Sequence, residues 1–354
     1  MKSRSVPAAY DNQDANVDLA SVLKSKKRKP CQLDGSQDRP ITIDDPESAE
    51  RGLKRRQFGQ QQRRQHTKGP IRVPIPVNII RVRELLRSSR KVVVISGAGI
   101  SANAGFSTFQ QMRKSERVSF DRSLYSLPVE AAKFHSTICS MFARTQSDAC
   151  QPTPFHKTMA TLAQKHKLTL HIAQNIDCVE QRLPDLEAKT VRLHGRVDQM
   201  RCQKCNWVGA FQPRLFQGAD LPSCSRCVER YQARVSQGKR IPNPGELRPD
   251  VLLYNEPHPD DTGIWQTIQR GLRKRPDLVL IVGTTLKVPG ALSIATNFCR
   301  ATQSRGGVAI WMSKEEPLSK VRHLFDYVFR GDCDDLACKH LHYPTSQAST
   351  YVAR

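Results

Sequence analysis

The 354-residue sequence predicts an α/β protein, in which a Rossmann-like parallel sheet with helices on both faces carries a small zinc-ribbon/helical domain. Short β-branched runs recur along the chain, and helix-length segments separate them. Strands that alternate with helices indicate a parallel sheet. Two Cys-x-x-Cys pairs interrupt this alternation and predict the zinc ribbon. The length permits one large domain or two moderate ones.

The β-branched run at residues 91–95 is typical of a strand that is covered on both faces of a sheet. Similar short apolar runs predict strands at residues 168–173, 190–193, 251–254, 278–282, 308–312 and 327–329. Helices are predicted at residues 77–90, 154–166, 263–273 and 289–304.

The chain is strongly basic, with 56 Lys and Arg against 33 Asp and Glu and a formal net charge of +23. Such a charge attracts polyanions, so we expect a contact with nucleosomes or DNA through the basic surface, although the charge could equally serve solubility. No apolar run reaches the roughly 18 residues of a membrane span. We therefore expect a soluble intracellular protein with no membrane partner.

Residues 1–75 show almost no apolar periodicity, so we expect a disordered basic tail. Residues 24–30 form a basic cluster of the kind that nuclear import receptors bind, which predicts a nuclear location. A solvated charge run is the alternative interpretation of that cluster.

Four of the eleven cysteines form two close pairs, Cys202 with Cys205 and Cys224 with Cys227. Two such pairs supply four thiolates for one tetrahedral zinc ion, and a reducing compartment favours metal over disulfides. Because protein fills all four positions, the predicted Zn²⁺ is structural. Four unligated thiols are the alternative.

The run at residues 91–95 ends in the turn Gly97-Ala98-Gly99. Glycines let backbone N–H groups approach a pyrophosphate where a Cβ would not fit, and a following helix N-terminus favours its charge. The next glycine is Gly105, so the spacing departs from the fingerprint of hydride-transferring dehydrogenases. By itself the loop is equally compatible with an ordinary tight turn.

Polar residues follow two later runs, Gln174-Asn175-Ile176-Asp177 after the first and His194-Gly195 after the second. Ligands bind at the carboxyl ends of strands in open α/β sheets, so these side chains predict a site. An imidazole can act as a base near neutral pH. A single histidine is more often structural, and its neighbours are what favour a catalytic role for His194.

Together these segments resemble the signatures of the sirtuin family, in the family's order, over about residues 77–340. The resemblance rests on residues 97–101, 174–177, 194–195, the two cysteine pairs, 248–251, 254–256 and 283–290. Details at residues 151–156, 175–178 and 253–256 look most like the fungal nuclear histone deacetylase branch.

The resemblance implies a protein lysine deacetylase that consumes NAD rather than reducing it, with an acetylated histone in the nucleus as the expected substrate. The acyl oxygen attacks the ribose carbon that bears nicotinamide, and nicotinamide and O-acetyl-ADP-ribose are released. The catalytic positions are matched by His194, Asn175 and Asp177. The cofactor-binding positions are matched by Gly97, Ala98, Gly99, Ser101, Ala104, Phe109, Gln174, Gly283, Thr284, Thr285, Ser313 and Cys333. The acyl-lysine channel is matched by Val251, Leu253, Tyr254 and Asn255, where a peptide would add as a strand.

The resemblance also implies a division of the chain. A sirtuin-like catalytic domain is expected at residues 76–340. Its NAD-binding part would comprise residues 76–118, 152–195 and 248–340, with a helical insert at 119–151, the zinc ribbon at 196–247, and a short C-terminal tail at 341–354.

Thr108 and Gln110 stand where most sirtuins have an Asp and an Arg that help to fix the cofactor, and Ser313 stands where an Asn is usual. Losing charge-assisted hydrogen bonds costs roughly 1.5 to 3 kcal/mol, so we expect weaker or slower NAD use. Three hypotheses follow: a working NAD-dependent deacetylase, a catalytically impaired chromatin or scaffold protein, and a hydride-transferring dehydrogenase. The glycine spacing and the inserted ribbon disfavour the third.

Overall fold

The computed structural model describes residues 73–114, 117–239, 243–256 and 261–334. They belong to one unit of the chain, Gly69–Arg354. The predicted basic tail, its import cluster and the C-terminal tail lie, apart from residues 73–75, outside the described residues. In the described part, no helix is long and apolar enough to cross a membrane.

A seven-stranded parallel sheet forms the centre of the fold, in the order β1-β10-β9-β8-β2-β3-β4. Its strands are β1 Ile75–Pro76, β2 Val92–Ser96, β3 Leu168–Ala173, β4 Thr190–Arg192, β8 Leu278–Val282, β9 Val308–Ser313 and β10 Tyr327–Arg330. The predicted parallel sheet is confirmed, because each pair of neighbouring strands in it runs parallel.

Helices cover both faces of this sheet. The α-helices among the described residues are α1 Ile79–Ser88, α2 Phe109–Lys114, α3 Pro128–Gln146, α4 Pro154–Gln164, α5 Pro184–Glu187, α6 Ser225–Val235, α7 Asp261–Arg273, α8 Pro289–Gln303 and α9 Ser319–Arg322. Val92 and Val94 pack with α1 and α4, whereas Val93 and Ile95 pack with α7 and α8. Successive strand residues point to opposite faces, so a run buried throughout needs a helical layer on each side.

A second, antiparallel sheet has the order β6-β5-β7, with β5 at Gly195–Cys202, β6 at Val208–Ala210 and β7 at Leu247–Val251. It packs with α3 around a core of its own that includes Phe134, Ile138 and Met200. The prediction of a parallel-sheet strand at residues 251–254 is therefore wrong. Of these residues only Val251 belongs to a strand, β7, in which burial alternates as expected for a half-covered antiparallel strand.

Candidate active site

The glycine turn after β2 packs directly against the loop after β8. Gly97 N–H donates to Val282 O at 3.0 Å, and Gly99 N–H donates to Gly283 O at 2.9 Å. A methyl group added at Gly99 would lie 2.7 Å from Gly283 Cα. These two N–H groups are thus used within the protein, and the approach of other backbone N–H groups of the turn to a pyrophosphate remains a prediction. Glycine is required here because two backbones approach closely.

A 3₁₀ helix, Ala98–Ala104, follows this turn, and the next α-helix begins only at Phe109. The 3₁₀ helix contains Ala98, which was predicted to line the cofactor, and ends at Ala104, which packs beside Phe106, Cys150 and Val179. The helix that follows the turn directly is thus a 3₁₀ helix, which begins at Ala98. The cofactor-binding roles of these positions remain predictions.

Gln174 connects the end of β3 to the loop after β8. Its side-chain Nε2 donates to Ser96 O and to Thr284 Oγ1, both at 3.0 Å. Thr284 Oγ1 also accepts the N–H of Leu286 at 3.1 Å. Strand ends that are far apart in sequence thus meet at one edge of the sheet, with the partly buried Thr285 beside them.

Ser101 lies between the two catalytic candidates that follow β3. Asn175 Nδ2 donates to Ser101 Oγ at 3.1 Å, and the Ser101 side chain is also hydrogen-bonded to Asp177. All three residues are buried. Burial, together with the nearby carboxylate of Glu180, raises the pKa of Asp177 to about 7. Such perturbed carboxyl groups are typical of functional sites.

His194 lies at the same edge of the sheet, two residues beyond β4. Leu193 N–H donates to Ala173 O at 2.9 Å, which places His194 beside the residues that follow β3. His194 O accepts the N–H of Leu252 at 3.0 Å, and Gly195 opposes Val251 in the small sheet. A methyl group at Gly195 would lie 2.0 Å from Asp250 O, so no other residue fits this crossing. His194 therefore lies where the two sheets meet.

The predicted acyl-lysine segment pairs with residues 120–122. Tyr254 N–H donates to Phe120 O at 2.8 Å, and Tyr254 O accepts the N–H of Arg122 at 3.1 Å. Asn255 Nδ2 donates to Asp121 Oδ2 at 2.6 Å. Val251 and Leu253 are buried, whereas Tyr254 is 42% exposed. The backbone groups of Tyr254 are thus already paired, and Leu253 is bonded to Glu256 through both its N–H and its C=O. An added peptide strand would have to use the backbone groups of Asn255 or replace one of these bonds.

Phe109 brings the predicted cofactor and substrate segments together. Its ring lies 5.2 Å from that of Phe120 and 6.2 Å from that of Tyr254, measured between centroids.

The last two predicted cofactor-binding residues, Ser313 and Cys333, lie in the C-terminal part of the described chain. The backbone oxygen of Ser313, at the end of β9, accepts the N–H of Gly331. Cys333 is buried in the core of the α1 and α4 face. Gly283 N–H donates to Met312 O, one residue before Ser313, so these positions share the sheet edge.

Thr108 forms a capping box at the start of α2. Thr108 N–H donates to Gln111 Oε1 at 2.7 Å, and Gln111 N–H donates to Thr108 Oγ1 at 3.3 Å. This reciprocal pair satisfies two backbone donors of the first helical turn. A hydroxyl therefore serves as the N-cap at the position where the resemblance implied an Asp, while the side chain of Gln110 lies outside the described structure.

The four paired cysteines form one cluster. Cys202 Sγ lies 3.7 Å from Cys227 Sγ, and Cys205 Sγ lies 3.8 Å from Cys224 Sγ. Their ligand atoms all lie within 4.8 Å of one another. The N–H groups of Lys204 and Cys205 point at Cys202 Sγ, each at 3.4 Å, as suits a thiolate. This set of four thiols fits a structural zinc ion.

A buried polar network beneath the site was not predicted. His171 Nε2 lies 2.7 Å from Ser96 Oγ, and His171 Nδ1 lies 2.9 Å from Thr190 Oγ1. Arg192 pairs with Glu180 at 3.0 Å. The sequence offered one signal, since Arg192 is a charged residue inside a short apolar strand. Such residues are rarely buried unless they are paired.

Asp334 was also missed. Its Oδ1 accepts the N–H of Phe155 at 2.9 Å and its Oδ2 accepts Asn103 Nδ2 at 2.7 Å. It thereby joins the first turn of α4 to the 3₁₀ helix that follows the glycine turn.

A parallel sheet with polar strand ends beside a glycine turn, and a four-cysteine module inserted into it, define the chain as an α/β nucleotide-binding protein with a zinc module. A family model described as "SIR2: Sir2 family" matches residues 97–290. That range covers 194 of the 354 residues. The chain belongs to the Sir2, or sirtuin, family, and the resemblance seen in the sequence is confirmed.

Two fungal relatives have curated names. The "NAD-dependent protein deacetylase hst4" of Emericella nidulans is 34% identical over 278 residues, which cover 71% of this chain and 46% of the relative. The "NAD-dependent histone deacetylase HST4" of Saccharomyces cerevisiae is 33% identical, covering 70% of this chain and 74% of the relative. The chain thus spans less than half of the first relative and about three quarters of the second.

Solved structures show the same fold. A "Sir2 homolog-NAD complex" superposes with a TM-score of 0.57 at 23% sequence identity, over 75% of this chain and 94% of that one. The predicted fold class is thereby confirmed.

Proposed function

We propose that the protein is an NAD-dependent protein lysine deacetylase. The observation that carries the proposal is the junction of Ser101, Asn175 and Asp177 at the sheet edge that also holds His194. Asn175, Asp177 and His194 are the residues that the family resemblance assigns to catalysis. They follow neighbouring strands at one edge of the sheet, in a chain whose relatives bear the name NAD-dependent deacetylase.

The site suits a ligand that can donate a hydrogen bond. Asn175 Oδ1 is buried and has no hydrogen-bond partner among the described residues. An unpaired buried acceptor costs roughly 1 to 3 kcal/mol, and the carboxamide N–H of nicotinamide would satisfy it. When bound, NAD would supply nicotinamide as the leaving group and ADP-ribose as the acceptor of the acetyl group. Gln174, Thr284 and Gly283 line the same edge and would hold the dinucleotide.

His194, Asp177 and Ser101 would have separate roles in the reaction. An imidazole can take a proton near neutral pH, so His194 would remove a proton from a ribose hydroxyl. Burial and the nearby Glu180 raise the pKa of Asp177, so this carboxyl would keep a proton more readily than an ordinary one and could then donate a hydrogen bond as well as accept one. Ser101 would hold Asn175 and Asp177 in fixed positions. Burial of all three would keep bulk water from the reacting groups.

Histone tails in the nucleus are the proposed substrate. One relative is named a histone deacetylase. The basic cluster at residues 24–30 agrees with nuclear import. Addition of a peptide strand beside residues 253–255 would recognise backbone more than sequence, so the target lysine is not encoded in this segment.

Turnover of an acetylated histone peptide tests the proposal. The full chain is incubated with peptide and NAD, and mass spectrometry follows deacetylated peptide together with free nicotinamide. Equal amounts of both are expected, without the NADH absorbance of a dehydrogenase. His194→Ala should abolish turnover, whereas His323→Ala, at an exposed histidine, should leave it unchanged. Unchanged turnover in His194→Ala would reject the catalytic assignment.

A catalytically impaired scaffold is the second candidate, and Thr108 and Gln110 favour it, because they replace the charged pair of most sirtuins. Binding of NAD measured by calorimetry, without nicotinamide release under any tested peptide, would support that function instead.

A contact with DNA is proposed for the basic surface. Exposed Arg226, Arg230 and Arg234 follow one another at four-residue spacing on α6, which places them on one side of that helix. Phosphate contacts give an affinity that falls steeply with salt. Binding to duplex DNA between low and physiological salt tests this, and absent or salt-insensitive binding would exclude it.

A further inference from the structure

The strand that precedes His194, β4, makes few backbone hydrogen bonds within the sheet. β4 is three residues long, lies at the edge of the large sheet and pairs with β3 alone. Short edge strands have few ladder hydrogen bonds to fix their ends. Contacts of the side chains on β4 can therefore help to position His194, in addition to the backbone bonds of Leu193 and His194. Arg192, two residues earlier, makes such contacts.

Arg192 is held by two carboxylates inside the protein. Its Nη2 lies 3.0 Å from Glu180 Oε2, and the two side chains are 7% and 1% exposed. Glu187 contacts the same guanidinium through both oxygens, at 2.9 and 2.7 Å. Glu180 lies three residues after Asp177, in the 3₁₀ helix Val179–Arg182. The pair thus spans from the loop after β3 to the strand that leads to His194.

This pair is poorly suited to stabilise the fold. Glu180 Oε1 and Arg192 Nε are buried without a hydrogen-bond partner among the described residues. Removing two charges from water costs several kcal/mol per ion. The attraction within an incompletely hydrogen-bonded pair recovers only part of that cost. Buried ion pairs of this kind are often replaced by apolar residues with no loss of stability. A contribution to geometry would explain why charged residues occupy these positions.

We propose that Glu180 and Arg192 are positioning residues, which hold the loop bearing Asn175 and Asp177 in register with the strand end bearing His194. The inference rests on the proposed deacetylase function. A bidentate guanidinium fixes direction as well as distance, which an apolar contact does not. In this proposal the pair acts through the catalytic residues and not by direct contact with substrate or cofactor.

The double variant Glu180→Leu with Arg192→Met separates geometry from stability. It removes both charges of the pair, and its melting temperature should stay close to that of the wild type. We expect kcat to fall at least about tenfold, with the KM values for NAD and peptide within about threefold, because misplacement acts on the chemical step. Glu84→Gln, which breaks the exposed ion pair with Arg81 on α1, is the control and should leave kcat unchanged.

Hydrogen–deuterium exchange gives a second measurement that does not require turnover. Peptides covering residues 174–182 and 190–195 should exchange faster in the double variant, while those of β2 and β8 stay protected. A stable double variant with wild-type kcat and unchanged exchange would overturn the proposal. If the wild type shows no turnover, the deacetylase function fails, and the exchange result alone decides whether the pair orders these segments.

Discussion

Asn175 Nδ2 donates a hydrogen bond to Ser101 Oγ at 3.1 Å, which ties the loop after β3 to the 3₁₀ helix after β2. The same serine is bonded to Asp177. One hydroxyl therefore orients an amide and a carboxyl that face the same site. Since Ser101 is fully buried, water cannot take its place.

Ser101→Ala should lower kcat/KM for NAD at least about tenfold, because Asn175 and Asp177 lose the partner that orients them. Steady-state kinetics measure this. Ser107→Ala, at an exposed serine in the same stretch of chain, is the control. Equal kinetics in the two variants would show that the hydroxyl does not organise the site.

Gly99→Ala should unfold the nucleotide-binding part, at a cost of more than about 2 kcal/mol, because its methyl group would press on the Gly283 backbone. Gly290→Ala, with no heavy atom within 4 Å of the added Cβ, should be neutral or slightly stabilising in α8. Urea unfolding of the two variants compares the costs. A similar cost for both would mean that the two loops do not pack as described.

Much of the large sheet is predictable from the sequence, because strands covered on both faces leave continuous apolar runs. The strands at Leu168–Ala173 and Leu278–Val282 have the predicted bounds. β1 could not be predicted, since it has two residues, one of them a proline, and exists through its pairing with β10. The strand predicted at residues 251–254 shares only Val251 with β7, which lies in the antiparallel sheet and was not predicted, although its alternating burial leaves a two-residue pattern.

The candidate site was predictable where it uses strand ends and cysteine spacing, which local sequence carries. The buried links could not be predicted, because the partners are distant in the chain: Asn103 with Asp334, and Ser96 with His171. Tertiary packing decides which polar and charged side chains pair in the interior, and no local sequence pattern predicts those pairs. The glycine turn was predicted as a possible ligand-binding loop. Its packing against the loop at Gly283 could not be predicted, because that contact joins two loops that are distant in the sequence.

One zinc ion per chain is expected in the purified protein, measured by inductively coupled plasma mass spectrometry. Cys224→Ser should lose the metal, since three thiolates with a serine hydroxyl bind zinc poorly. Cys139→Ser, outside the cluster, should retain it. Full zinc content in Cys224→Ser would exclude the assignment of these four cysteines as the ligands. Chelation should also lower the melting temperature, because metal binding contributes to folding.

His171 should make the fold less stable in acid. Burial lowers the pKa of His171 from 6.5 to about 4. Thr190 Oγ1 donates to Leu186 O, so the ring must donate from Nδ1 to Thr190 and accept from Ser96, which requires the neutral form. Between about pH 6.5 and 4 the unfolded chain binds a proton that the folded chain excludes. Stability from this group is therefore lost as pH falls through that window and is constant below it.

Comparison with His171→Gln isolates this effect. The excess stability of the wild type over the variant should shrink by up to about 3 kcal/mol between pH 7 and pH 4, as a shift of one pKa unit corresponds to about 1.4 kcal/mol. Urea unfolding across this range measures it. A constant difference in the His171 series would mean that the ring is not held neutral.

Gln110→Arg should strengthen NAD use, because it restores the guanidinium that most sirtuins carry at this position. A charge-assisted hydrogen bond of roughly 1.5 kcal/mol corresponds to about a tenfold lower KM for NAD. Thr108→Asp should change the melting temperature little, since both residues cap helices well, whereas Thr108→Ala should cost about 1 kcal/mol by breaking the capping box with Gln111.

The double variant Thr108→Asp with Gln110→Arg then decides between an active and an impaired enzyme. If the wild type turns over slowly because of these two positions, the double variant should gain at least about tenfold in kcat/KM for NAD, a gain of roughly 1.4 kcal/mol. Ser107→Arg, at an exposed residue just before α2, adds the same charge at a different position and leaves the capping box intact, so it should show no gain. An unchanged rate in the double variant would mean that the capping box already supports full activity without the charged pair, because Thr108 preserves the helix start that the Asp would otherwise provide.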